Sequence, residues 1–222
     1  MRKIIEPLKM KDTARAEFDG WAHKYDRSIL QRFLFKPSHD LIMSEIDSGR
    51  HVRILDIGCG TCVFAFRMAS QFPYSSIFCM DLSCEMVGKA KKKLDLAVTA
   101  GGAGTVKIKI ADSEHLPYAS NSFDYITCSN SFHHYPRQER VAREMHRVLK
   151  PGGRALIVDG FKDNIVGRFI YDGIVEWLEG DVRHLNSGDF KELFGKAGFS
   201  PVKHRNNFKG LPIMMVVATA KK

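Results

Sequence analysis

The chain has 222 residues, 44% of them hydrophobic and 27% charged, a composition that fits one globular domain and excludes disordered and repetitive classes. Its net charge of +9 would suit an anionic partner, but the basic residues gather in helix-like stretches such as 89–93 and 137–147, where a solvated face accounts for them. Direct nucleic-acid binding is therefore not expected.

The basic start is cut short by Glu6 and Pro7, and the longest apolar run, 211–220, has about half the length of a bilayer span. Neither a signal sequence nor a membrane span is expected, and the chain reads as cytoplasmic. Its five cysteines, an odd number in such a chain, argue for reduced thiols and against a disulfide framework.

In chain order, residues 11–47 are helical in pattern, with Phe18, Trp21, Ala22 and Tyr25 at spacings of three and four. This stretch, within a region 1–50, reads as a helical lid, and Ser48-Gly49 marks its boundary with the main domain, 51–222. Residues 53–57 form the first strand, and Gly58 and Gly60 then force a tight turn into a helix carrying Phe64, Ala65, Met68 and Ala69. Residues 76–82 give a second strand, and Ser83 is placed to cap a helix that buries Met86, Val87, Ala90 and Leu94. Val106 to Ile110 alternates strictly, as a strand at a sheet edge does.

A fourth strand is expected at 122–130, a helix at 137–149, and a Pro151-Gly152-Gly153 turn into a fifth strand at 154–159. Residues 161–186 break the rhythm as a small helical insert rich in Phe169, Ile170, Tyr171, Ile174, Trp177 and Leu178. A helix from Ser187 to a glycine stop at Gly198, then strands at 201–207 and 214–220, close the chain. Strands separated by helices imply parallel βαβ units, hence a doubly wound Rossmann-like sheet with its ligand at the C-terminal strand ends.

The chemistry gathers at those ends. Asp81 closes the second strand about twenty residues after the glycine turn, where a carboxylate can accept from both hydroxyls of a ribose. Asp112 follows the third strand, and Ser129 and Asn130 close the fourth. His133 and His134 lie just beyond, and an imidazole there could act as a base near neutral pH. Cys59 and Cys62 form a Cys-x-x-Cys, but zinc would need two more ligands and no second closely spaced pair exists, so no metal site is expected. A nicotinamide dehydrogenase would call for a third loop glycine where this chain has Val63.

The segments Ile54-Leu-Asp-Ile-Gly-Cys-Gly-Thr61, Met80-Asp-Leu-Ser83, Ala111-Asp-Ser-Glu-His-Leu-Pro117, Phe123-Asp124 and Leu149-Lys-Pro-Gly-Gly153 resemble, in order and spacing, those of class I S-adenosylmethionine-dependent methyltransferases. The resemblance is to the ubiquinone/menaquinone-methyltransferase-like (methyltransferase domain type 11) group. It implies a seven-stranded sheet with the last strand antiparallel and S-adenosyl-L-methionine as cofactor. It also implies that Asp56, Gly58, Cys59 and Gly60 face the methionine part, that Asp81 takes the ribose, and that Leu82 and Met86 lie near the adenine. Asp112 would accept from the adenine amine with Ser113 beside it, and Ser129 and Asn130 would complete the site. Cys62 departs from the pattern, since many relatives have a small glycine there.

His134 matches the catalytic histidine of the phosphoethanolamine methyltransferases that this motif resembles, and Tyr25 is a positional candidate for their N-terminal tyrosine. His133 is the alternative base. The lid sequence Phe18 to Asp26 resembles the start of the quinone C-methyltransferases, yet those enzymes carry Arg-Asn where this chain has His133-His134. The expected reaction is methyl transfer to a small, apolar or aromatic molecule by in-line displacement. The alternatives are a quinone C-methyltransferase and an RNA- or protein-directed enzyme.

Overall fold

In the computed structural model, residues 11–16, 18–20, 26, 35–47, 49–99, 106–163, 182–205 and 213–222 are described. Seven strands, β1 (Arg53–Ile57), β2 (Ser76–Asp81), β3 (Val106–Ile110), β4 (Phe123–Ser129), β5 (Leu149–Gly160), β6 (Phe199–Arg205) and β7 (Ile213–Ala220), form one sheet in the order β3-β2-β1-β4-β5-β7-β6. β1 pairs in parallel with both β2 and β4, whereas β7 runs antiparallel to β5 and to β6, as the family resemblance implied. The chain moves outward from β1 to β2 and β3, then returns to β4 on the other side of β1. That reversal opens a crevice at the C-terminal ends of β1 and β4, the place where doubly wound sheets bind ligands.

Among the described residues, five helices cover the two faces: α1 (Lys36–Met43), α2 (Val63–Gln71), α3 (Cys84–Thr99), α4 (Gln138–Val148) and α5 (Ser187–Lys196). Residues 11–16 and 18–20 are also helical. One core packs Leu41, Ile42, Phe64, Ala65, Met68 and Ala90 against the sheet, and the other packs Val141, Met145, Phe190 and Phe194. A strand covered on both faces buries successive side chains, which is why Ile54, Leu55 and Ile57 are apolar and buried, and why the buried Asp56 between them needs the hydroxyl of Thr127. β3 is an edge strand as expected, and Lys107 and Lys109 on it guard against further pairing.

The expected cap at Ser83 forms: its hydroxyl accepts from Met86 N at 3.0 Å at the start of α3. Asn186, one residue before the Ser187 expected to open the helix, caps α5 by accepting from Asp189 N at 2.8 Å. The helix expected at 137–149 ends one residue earlier: α4 stops at Val148, and Leu149 already belongs to β5, paired with Phe123 of β4. Residues 150–153 then bulge out before Arg154 resumes the register opposite Tyr125. Gly153 permits the return, because a Cβ there would stand 3.0 Å from Lys150 O and 3.1 Å from Asp124 O. The expected insert lies largely outside the described residues, as do Trp21, Ala22 and Tyr25.

Candidate functional site

A cleft opens at the crevice. Its floor is the loop from Gly58 to Cys62, which leaves β1 through three residues at positive φ: Gly58 (69°), Gly60 (53°) and Cys62 (61°). Cys62, the irregular residue of the motif, thus adopts the left-handed backbone that a glycine would take there, and its side chain is fully buried. The loop is clamped onto β2. Gly58 N and Cys59 N both donate to Met80 O, at 2.9 and 3.0 Å, and Gly60 N donates to Asp81 Oδ2 at 2.8 Å.

Gly58 faces Ser131 and Tyr135. A Cβ on it would lie 2.5 Å from Ser131 Oγ and 2.8 Å from both Ser131 Cβ and the Tyr135 hydroxyl, so the backbone itself forms this wall. Asp81 accepts Ser83 N at 2.9 Å on its other oxygen, so each oxygen keeps a lone pair for a further donor such as a ribose hydroxyl. Burial pushes its carboxyl above the usual range, and the N–H groups of Ser83 and Gly60 pull the other way. The cradle of bare backbone and the paired acceptors of Asp81 fit an adenosyl cofactor.

Gly58, Gly60, Asp81, Leu82, Met86, Asp112, Ser113, Ser129, Asn130 and His134, all expected at the site, line this one cleft. Asp56 and Cys59 instead line a smaller cavity that shares Gly58 and Ser129 with the first. Asp56 is almost fully buried and accepts from Thr127 Oγ1 at 2.7 Å, and burial raises its carboxyl to about 8. Asp112 accepts Glu114 N at 2.9 Å and Lys11 Nζ at 2.7 Å. Burial raises its carboxyl, but these two partners leave it below the usual range.

The two histidines separate. In the short 3₁₀ turn Phe132–His134, successive side chains point about 120° apart. His134 therefore reaches the cleft while His133 turns inward. Burial holds the His134 imidazole well below its ordinary range, with the charges of His133 and His184 acting in the same sense, so it is neutral at physiological pH. His133 Nδ1 stands 2.5 Å from Asp159 Oδ1, and His133 N donates to Asp159 Oδ2 at 3.0 Å. The His184 ring stacks on His133 at 4.2 Å and 22°. Ligand atoms of His133, Asp159 and His184 lie within 4.8 Å of one another. His184 Nδ1 stands 3.3 Å from Gly160 O and 3.9 Å from Asp159 Oδ1, so the cluster ties the histidine turn to the end of β5.

The N-terminal segment sits on the same cleft. Lys11 bridges Asp112 and Glu114, the latter at 3.0 Å, Asp19 accepts from the Ser83 hydroxyl, and Phe18 packs edge-on to His134 at 4.8 Å. Asp26 accepts from Thr61 Oγ1 at 2.5 Å and pairs with Lys93 at 2.6 Å. Sequence reasoning missed Lys11, Arg15, Ser131 and Tyr135 as cleft residues. Tyr135 stands one position beyond the His-His pair, and this spacing was the available signal. Tyr25 lies outside the described residues.

Residues 55–157 match the methyltransferase domain family. The chain is 28% identical over 211 residues to the demethylmenaquinone methyltransferase of Listeria monocytogenes serotype 4a (strain HCC23), covering 78% of this chain and 87% of that one. It is 33% identical over 145 residues to the ubiquinone/menaquinone biosynthesis C-methyltransferase UbiE of Geotalea daltonii, covering 64% and 60%. Among solved structures, a possible histamine N-methyltransferase of Thermotoga maritima superposes with a TM-score of 0.75 at 19% identity, covering 94% of this chain and 100% of the other.

Proposed function

Because this chain is a class I S-adenosylmethionine-dependent methyltransferase, we propose that it methylates a small apolar or aromatic molecule, with His134 as the base. The observation that carries this reading is the position of His134, which among the described residues is the one histidine lining the cleft. It is held neutral, the form that can take a proton, although burial also makes the imidazole a weaker base.

S-adenosylmethionine supplies a methyl group on a positively charged sulfur. The work left to the protein is to hold acceptor, methyl and sulfur in line and to keep water out. Gly58 and Gly60 would hold the methionine part against bare backbone, with Asp56 and Cys59 at its far end. Asp81 would accept from the ribose hydroxyls, and Asp112 from the adenine amine, with Leu82, Met86 and Ser113 around the ring. Ser129 and Asn130 would border the reacting centre. His134 would take the proton of the acceptor, and the His133–Asp159 pair would fix the turn that aims it. Region 1–50 would act as the lid of the domain spanning 51–222, since Lys11, Phe18, Asp19 and Asp26 all contact residues of the cofactor side.

A second reading, C-methylation of a quinone precursor, is favoured by the names of the relatives that match most of this chain. Incubating the protein with methyl-labelled cofactor and cell extract discriminates the readings. Label in a small-molecule or lipid fraction is expected, and transfer to demethylmenaquinone would single out the quinone reading, whereas label in RNA or protein would overturn both. Asp81→Ala is expected to weaken cofactor binding by calorimetry at least about tenfold. His134→Gln should abolish the base-dependent limb of the pH–rate profile, and unchanged turnover would remove it from the mechanism.

A further inference from the structure

The cofactor loop carries a feature that methyl transfer does not use. Cys59 and Cys62 lie in one tight turn, closed by Cys62 N donating to Cys59 O at 2.9 Å, and their sulfurs stand 3.4 Å apart. A turn of this kind brings the two Cα atoms within about 7 Å, which is the spacing a disulfide spans. All five cysteines are free thiols. Cys59 lines the smaller cavity beside Asp56, Phe64 and Ser129, which places it, rather than the fully buried Cys62, next to the space a small oxidant would enter.

We propose that Cys59 and Cys62 are an oxidisable dithiol, converted by a small peroxide into a disulfide within the loop, and that this weakens cofactor binding. The second half rests on the reading that this loop holds the cofactor.

The surroundings favour the chemistry. Cys62 is the N-cap of α2, where the exposed N–H groups stabilise negative charge. Lys93 Nζ donates to Thr61 O at 3.2 Å, bringing a cation alongside. Hydrogen bonds with Cys59 and Cys79, followed by the charge of Lys93, outweigh burial and bring the Cys62 thiol down to about 5, whereas Cys59 and Cys79 are raised well above the thiol range. The negative charge of the pair therefore sits on Cys62, 3.4 Å from the Cys59 thiol.

As the Cys62 thiolate takes the Cys59 proton across the 3.4 Å contact, the Cys59 sulfur attacks one peroxide oxygen. A sulfur–oxygen bond forms, the oxygen–oxygen bond breaks, and hydroxide leaves to take up a proton. The Cys62 sulfur then displaces the oxygen from the sulfenic acid, releasing a second water. Two thiols are oxidised, one peroxide is reduced, and the products are one disulfide and two waters.

Forming the bond draws the sulfurs from 3.4 Å to about 2.05 Å. Cys62 is buried and anchored at the start of α2, so the movement falls on Cys59 and Gly60. Those residues carry the bonds to Met80 O and Asp81 Oδ2 that shape the cradle.

The test treats the reduced full chain with hydrogen peroxide, alkylates it, and maps the peptides by mass spectrometry alongside calorimetry with S-adenosylmethionine. A Cys59–Cys62 disulfide is expected, with affinity falling at least about fivefold and returning on reduction. Cys59→Ser and Cys62→Gly, the second chosen because glycine suits the 61° backbone, should show no change on peroxide treatment, whatever affinity each starts from. Two alkylatable thiols at 59 and 62 after treatment, a disulfide formed through Cys79 or Cys84 instead, or a Cys59–Cys62 bond that leaves affinity unchanged would each overturn the proposal. If the reduced chain binds no cofactor, the cofactor reading fails, while the peptide map still decides the dithiol.

Discussion

Replacing Gly58 by alanine tests the claim that the cofactor cradle is made of bare backbone. Two costs act at this position. The φ of 69° puts any Cβ close to a carbonyl oxygen, which costs about 1–2 kcal/mol. The new methyl would also stand 2.8 Å from Ser131 Cβ and from the Tyr135 hydroxyl. Neither neighbour gives way easily, since Ser131 Cβ moves only with its backbone and the Tyr135 hydroxyl sits on a rigid ring 3.1 Å from Ser131 Oγ. Overpacking of this kind costs about 1–3 kcal/mol.

Gly152 separates the two effects. Its φ is 74°, yet a Cβ there would meet nothing within 4 Å, so Gly152→Ala should lose only the backbone share. Urea unfolding of both variants is expected to place Gly58→Ala about 2–5 kcal/mol below the parent and Gly152→Ala about 1–2 kcal/mol below it. Calorimetry should find cofactor affinity reduced at least about tenfold in Gly58→Ala and unchanged in Gly152→Ala. Equal destabilisation of the two variants, with normal binding in both, would refute the close approach at Gly58.

His39 is buried, stacks on Phe64 at 4.3 Å, and is lowered to about 3 by burial and then by the charge of Arg67. The unfolded chain takes up a proton below about pH 6.5 and the folded chain does not, so stability should fall by about 2 kcal/mol between pH 7.5 and pH 5. His39→Phe should flatten that slope in urea titrations at the two pH values. Asp56 has the opposite sign: its folded carboxyl is raised to about 8, so its contribution is full below about pH 4 and is lost as pH climbs through 8. Asp56→Asn keeps an acceptor for Thr127, and by thermal unfolding it should be near the parent at pH 4 and clearly more stable at pH 8.5, by an amount on the order of 4 kcal/mol.

Much of the site is legible in the chain because its elements are local. A glycine turn, an acid at the end of the next strand and a serine cap each carry their meaning within a few residues. A doubly wound sheet then brings all the strand ends to one crevice whatever the loops do. The same logic placed β3 at an edge, since alternation with lysines suits a strand with an open side. The end of α4 was misplaced because Leu149 suits a helix and a strand equally, and only its pairing with Phe123 settles the matter.

The sequence by itself determined the order of strands and helices and the glycine turn that follows β1, because these follow from periodicity, turn residues and spacing along the chain. Tertiary structure decided which partners meet across long separations. It set Lys11 against Asp112, 101 residues away, and Ser131 and Tyr135 against Gly58. It also chose between two neighbouring histidines identical in kind, because a 3₁₀ turn sends one into the Asp159 support and the other into the cleft. It gave Cys62 a glycine's backbone and brought its sulfur against Cys59, a contact that Cys-x-x-Cys spacing permits and only the closed turn produces.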